Sequence, residues 1–260
     1  MSHSIPEQSL AVVKGRLALL RDYVAPRSEP VELRRFLILT SGRTGSELLV
    51  NRLNSHPHIT CDSELLGQRR LSPERLLSGR ALHASRQGKL AYGIKIKPKD
   101  IFEVQRLADP AGWLGDKHRQ GWKVIHLSRL NRLHQAISAQ RASSYQWHYS
   151  KREAKTFEPM AMNPFVIIGT MCSIAFYEDQ ISHLLEGIDH LHLTYETDLQ
   201  QPVDQDATVT RICQLLGIEL RPTETELERI TPDKTRDMVT NYDEIAAEIR
   251  RNHFADFLPD

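Results

Sequence analysis

No stretch of this 260-residue chain is apolar for long enough to span a membrane, and the other absences narrow its chemistry further. Cysteine is scarce. Cys61, Cys172 and Cys213 are odd in number and far apart, which argues against a disulfide framework or a zinc pattern and favours a reducing, cytoplasmic setting. Each reads as a small core residue. Neither sign of charge dominates: a formal net charge of +1 excludes a histone-like polyanion-binding surface and predicts no nucleic-acid partner, but leaves room for a local basic pocket. Internal repeats and low-complexity tracts are missing, so one domain over 1–260 is expected. The first residues, MSHSIPEQSLAVVKGRLALLRDYV, carry apolar side chains at helical spacing, interrupted by Lys14, Arg16 and Arg21. That is too charged for a signal peptide and predicts an amphipathic helical extension over 1–33, packed on the domain or on a partner.

What is present is organised around FLILTSGRTGSELLVNRLNS, residues 36–55. Phe36 to Thr40 is a β-prone apolar run of the kind buried in parallel sheets. Ser41-Gly42-Arg43-Thr44-Gly45-Ser46 follows, and then Leu48, Leu49 and Leu53 at helical spacing, with Pro57 forcing a stop. A strand, a glycine-punctuated turn and a helix start together make an anion site. Glycine lets backbone approach a ligand, the first helical N–H groups lack internal partners, and the helix dipole favours negative charge. Arg43 adds a forked cation suited to phosphate or sulfate oxygens. The Walker spacing is absent, and no lysine precedes Ser46. Taken alone, such a loop is also compatible with an ordinary βα turn whose arginine lies in solvent.

Further strands are expected at Leu90–Ile96, with Lys95 and Lys97 at its far end, at Trp122–Leu127, and within Gly187–Thr194. Asn131 is a favoured cap for the helix after the third of these, and Ser138 lies about two turns along it. Helices are expected over Met171–Leu185, over Thr208–Leu216 with Gly217 closing it, and from Asn241 into a terminal hook at Leu258. Residues 67–90, with Arg69, Arg70, Arg75, Arg80 and Arg86, alternate short helical phrases with Ser, Pro and Gly and read as an insertion-like segment whose arginines form a solvated face or meet a polyanionic acceptor; 142–164 reads as a loop or lid. Alternating strands and helices predict an α/β domain of three layers, a central parallel sheet flanked by helices. Ligands of such sheets sit at the carboxyl ends of strands, where this pattern brings together Ser41–Ser46, Arg129 and Lys95.

SGRTGSELL, CDSELL, GIK, VIHLSRLNRLHQAIS, TYETDL, LLGI and RDMVTNYDEI, taken in order, resemble the bacterial sulfotransferases that use 3′-phosphoadenosine-5′-phosphosulfate (PAPS), such as nodulation-factor and trehalose sulfotransferases. The resemblance covers roughly residues 35–258 and implies a P-loop-like α/β domain. It implies that Ser41, Gly42, Arg43, Thr44, Gly45, Ser46 and Glu47 form the 5′-phosphosulfate site and that Arg129 and Ser138 hold the 3′-phosphate. The arginine-to-serine spacing is one residue longer than in the animal enzymes. Their lysine-glycine-rich C-terminal loop is absent, and Leu130 takes the other arginine position. Glu64 matches the catalytic glutamate, with Asp62 as the alternative carboxylate; Glu64 also suits a helix start. Lys95 would reach the transferring group or bridging oxygen, or lie in solvent. Trp147 and His148 would stack on adenine or on a sugar ring, or pack as core or lid.

The expected reaction is in-line sulfuryl transfer from PAPS, as co-substrate, to a hydroxyl of a carbohydrate, glycolipid or other small acceptor. Glu64 takes the proton, and preorganised donors stabilise the leaving phosphate. A sulfuryl group carries less charge than a phosphoryl group, so no metal is expected. The acceptor-side loops would be 67–90 and 142–164, and an oligomer is left open. Two other classes remain at this stage: an ATP-using P-loop phosphotransferase and a non-catalytic nucleotide-binding protein of the same fold.

Overall fold

The computed structural model describes residues 33–144, 157–225, 227 and 231–258. Five strands make one all-parallel sheet in the order β2-β3-β1-β4-β5: β1 (Arg34–Leu39), β2 (Ile59–Asp62), β3 (Ala91–Ile96), β4 (Lys123–Ser128) and β5 (His190–Thr194). Alternation along each strand feeds two cores. Leu37 and Leu39, with Tyr92, Ile94, Ile96 and Val124, face the layer that contains Leu77, Ala81, Leu114, Ile181 and Leu184. Phe36 and Ile38, with Ile59, Ile125, Leu127 and Leu193, face Leu49, Leu53, Val209 and Ile212. Helix α1 (Ser46–Ser55) and helix α7 (Pro202–Leu216) therefore cover one face; α2 (Pro73–Arg86), α3 (Pro110–Arg119) and α5 (Pro164–Leu184) cover the other. This is a three-layer α/β fold. A third cluster joins α4 (Arg132–Ser144), the first half of α5 and α8 (Tyr242–Arg251) through Leu133, Ile137, Ile167, Met171, Ile245 and Ile249.

Two differences from the sequence reading have local causes. The 67–90 stretch is one continuous helix over most of its length, α2, started by Ser72, whose hydroxyl accepts from Arg75 N, and by Pro73 in the first turn. Its arginines are not simply a solvated face. Arg69 donates to Val104 O and Gln105 O, Arg70 to Leu65 O, and Arg80 grips Asp62 through both carboxylate oxygens. The edge strand β2 is only four residues, ITCD, too short for its alternation to stand out. Residues 1–32, and with them the amphipathic extension, lie outside the described residues. Among the described residues no helix is long and apolar enough to cross a membrane.

β1 is central, and the chain leaves its carboxyl end toward β2 on one side but leaves the carboxyl end of β4 toward β5 on the other. Neighbouring strands whose connections diverge leave a crevice between them at the carboxyl edge. The turns after β1 and β4 form its two walls.

Candidate functional site

The first wall is the Thr40–Gly45 turn. Gly42 (φ 92°), Arg43 (φ 55°) and Gly45 (φ 79°) all sit in the left-handed region, which coils the backbone tightly around its own N–H groups. Thr40 and Thr44, both fully buried, join hydroxyls at 2.5 Å beneath the turn. Gly45 is required twice over: by its φ, and because a Cβ there would lie 2.6 Å from the Tyr195 ring. It is also the N-cap of α1, where no side chain caps the helix.

The second wall is the β4–α4 turn. Asn131 caps α4 as expected, its Oδ1 accepting from His134 N at 2.9 Å. Gln135 and Ser138, one turn apart, share the helix face toward β1. Gln135 Nε2 donates to Ser41 Oγ (2.9 Å) and to Gly42 O (2.7 Å). Ser138 Oγ accepts from Arg43 Nε (3.1 Å) and Nη2 (3.0 Å). Arg129 Nη1 donates to Arg43 O at 3.1 Å, and its guanidinium lies 4.3 Å from the Tyr195 ring centroid. Arg43, Arg129 and Ser138 are thus in one connected network. Gln135, fully buried, is a site residue that sequence reasoning missed. A polar residue at helical spacing between Asn131 and Ser138 was the available signal.

At the β3 side lies a carboxylate–lysine cluster. Lys95 shares its strand face with Ala91 and Gly93, under the first turn of α1, and is 2% exposed. A charge buried this far needs a partner. Glu47 supplies it, and Glu64 Oε1 lies 3.5 Å from the same ammonium. Glu47 Oε1 also accepts from Ser63 Oγ at 2.7 Å, so its carboxylate faces cations and hydroxyls, and only its backbone N–H suits an anion. Lys97, beyond the strand end, pairs with Glu64. A Cβ added to Gly42 would meet Lys97 Cε at 3.7 Å, so this lysine lies against the anion turn. It was noted in the sequence as a strand-end residue without a role.

Glu64 is half-exposed and has φ 54°, a left-handed conformation uncommon for a residue other than Gly, Asn or Asp. The Lys97 ammonium, foremost, holds its carboxyl below the usual glutamate value; burial pulls the other way and is outweighed. Asp62, the alternative carboxylate, is committed elsewhere: Arg80 takes both its oxygens and Tyr92 Oη donates to Oδ2 at 2.9 Å. Asp100, beside this cluster, accepts from Lys97 N at 2.9 Å, and burial raises its carboxyl above the usual range. Trp147 and His148 lie outside the described residues. Among the described residues no group of three or more His, Cys, Asp or Glu side chains could hold a metal ion.

No family model matches the chain, and no curated protein matches it. Among solved structures it is similar to the sulfotransferase domain of the Synechococcus PCC 7002 olefin synthase, at 16% identity over 76% of this chain and 78% of that one, TM-score 0.43. It is similar also to the sulfotransferase domain of the curacin biosynthetic pathway, at 16% identity over 75% and 77% of the two chains, TM-score 0.46. Mouse sulfotransferase SULT7A1, complexed with PAP, is similar at 11% identity over 79% of this chain and 65% of that one, TM-score 0.39.

Proposed function

We propose that the chain is a PAPS-dependent sulfotransferase acting on a hydroxyl of a carbohydrate, glycolipid or other small acceptor. The observation that carries the reading is the crevice between β1 and β4, where an uncapped helix start lies beside two arginines from opposite walls, Arg43 reaching Ser138 and Arg129 reaching the Arg43 carbonyl. A donor nucleotide phosphorylated at both ends needs two such anion devices at one edge. The ordered motifs, from SGRTGSELL to RDMVTNYDEI, support the same choice. The turn N–H groups, Arg43 and the start of α1 would take the 5′-phosphosulfate; Arg129 and Ser138 would take the 3′-phosphate.

In the transfer, the acceptor oxygen attacks sulfur from the side opposite the bridging oxygen. As the new O–S bond forms, the bond from sulfur to the bridging oxygen breaks, and its electron pair stays on the 5′-phosphate of the departing bisphosphate. The hydroxyl proton passes to Glu64 Oε2, since both lysines meet Oε1. The lowered pKa keeps Glu64 ionised and ready at neutral pH. Lys97, against the anion turn, offsets the charge that grows on the leaving phosphate, while Lys95, buried and paired with Glu47, lies 3.5 Å from Glu64 Oε1 and helps to hold that carboxylate. Calorimetric titration with 3′-phosphoadenosine-5′-phosphate (PAP), 5′-AMP and ATP tests the donor. PAP should bind tighter than 5′-AMP, with binding lost in Arg43→Ala. A preference for ATP, with magnesium-dependent phosphate transfer, would overturn the reading in favour of a phosphotransferase. Tight PAP binding without transfer from PAPS to any of a broad panel of hydroxyl acceptors would make it a binding protein.

A further inference from the structure

Glu196 holds together the wall that carries Arg129, and no motif reading above gives it a role. It follows Tyr195 in α6 (Tyr195–Asp198), the single helical turn after β5. Its carboxylate accepts from Leu130 N at 3.0 Å through Oε2 and from Asn131 N at 3.1 Å through Oε1. Oε1 also lies 3.6 Å from Arg129 Nε, an ion pair between two largely buried side chains. Arg129 in turn stacks on Tyr195, the neighbour of Glu196, and reaches Arg43 O. One carboxylate therefore fills the anion-attracting start of α4 from inside the protein and fixes the cation beside it.

We propose that Glu196 is a positioning residue that sets Arg129, against Arg43 and Ser138, in the geometry that recognises a second phosphate on the bound nucleotide. This rests on the donor reading above. Without the carboxylate, the two turn N–H groups would compete for the ligand's phosphate and Arg129 would lose its charged partner, keeping the Tyr195 ring and the Arg43 carbonyl. The role concerns discrimination, so a general loss of packing would not imitate it.

The test is the ratio of 5′-AMP to PAP dissociation constants, by calorimetry, in the wild type, Glu196→Gln, Arg129→Met and the double variant, with thermal unfolding alongside. Glu196→Gln keeps the shape of the side chain and should lower the ratio by about tenfold, with 5′-AMP affinity changed by less than about threefold, the scale of one charge-assisted contact. The double variant should be no worse than Arg129→Met alone, because the two residues act as a unit. Glu196→Asp, which keeps the charge on a shorter arm, should fall between wild type and Glu196→Gln. An unchanged ratio in Glu196→Gln, or equal weakening of both nucleotides, overturns the proposal and leaves the donor reading standing. A wild type that does not prefer PAP removes the donor reading itself, and this role with it.

Discussion

Two strand–turn–helix units stand side by side at the crevice, and they end their helices in opposite ways. At α1 the N-cap is Gly45, and no side chain makes a capping hydrogen bond. At α4 the N-cap is Asn131, bonded to His134 N, and Glu196 takes two further N–H groups of the turn. Helix starts attract anions by the same physics in both places, so what differs is who supplies the anion. At the second end the protein supplies its own carboxylate; at the first it supplies no side-chain cap, which is where the proposed 5′-phosphosulfate would sit. The capped unit then serves through side chains: Gln135 bonds the β1 turn, Ser138 receives Arg43, and Arg129 crosses to the Arg43 carbonyl. An uncapped end and a capped end are laced together at one edge of the sheet.

The contrast can be broken in graded ways. The largest effect is expected away from both helix ends. If they only bind, Glu64→Gln should cut turnover about a thousandfold in a radiolabelled PAPS transfer assay while PAP affinity stays within twofold. Equal loss of both would place Glu64 in binding instead. Gly45→Ala should come next. The new Cβ meets the Tyr195 ring at a φ of 79°, so stability should fall by about 1–3 kcal/mol in denaturant unfolding and PAP binding should weaken with it. Gly217→Ala is its control: left-handed at φ 62° and far from the crevice, with nothing within 4 Å of the added Cβ, it should cost about 1 kcal/mol and leave PAP binding alone. Lys97→Met should act on the acid limb of the kcat profile. Glu64 must be ionised to accept the proton, so activity falls as pH drops through its folded-state pKa, which Lys97 holds below the usual glutamate value. Removing that ammonium should move the limb to higher pH; an unmoved limb would mean that Glu64 is not the titrating base. The smallest effect is expected for Asn131→Ala, about 1 kcal/mol of stability from the lost cap, with the PAP-to-AMP preference kept by Glu196.

Much of the frame was legible because it obeys strong local rules. Phe36–Thr40 was placed within a residue or two of β1, and the Asn131 and Gly217 boundaries were read from capping chemistry alone. Four of the five strands were found in this way. β2 was missed because ITCD offers only one alternation, and α2 was read only as short helical phrases because Ser72, Pro73, Ser78 and Gly79 break up the spacing of Leu76, Leu77 and Ala81. In the candidate site, residues contributed by the turns themselves were readable. Those contributed by long-range contact were not: Gln135 meets Ser41, Glu196 meets the β4–α4 turn, and Lys97 meets Glu64 across distances in sequence that no periodicity encodes. Lys95 shows the limit from the other side. Its place at a strand end suggested access to a ligand, but the side-chain parity of β3 turns it under α1, where Glu47 neutralises it.

The strand order has a consequence for how the molecule is born. β1 is synthesised first of the five strands, yet it pairs with neither its sequence neighbour β2 nor anything else until Ala91–Ile96 has emerged, and its second flank waits for Lys123–Ser128. At ribosomal speeds that leaves the apolar run Phe36–Leu39 without sheet partners for seconds, on the order of the time needed to make the intervening chain. The turn after β1 is therefore made before either of the strands that flank it. A factor that holds nascent chains would meet first the residues proposed above to bind the nucleotide.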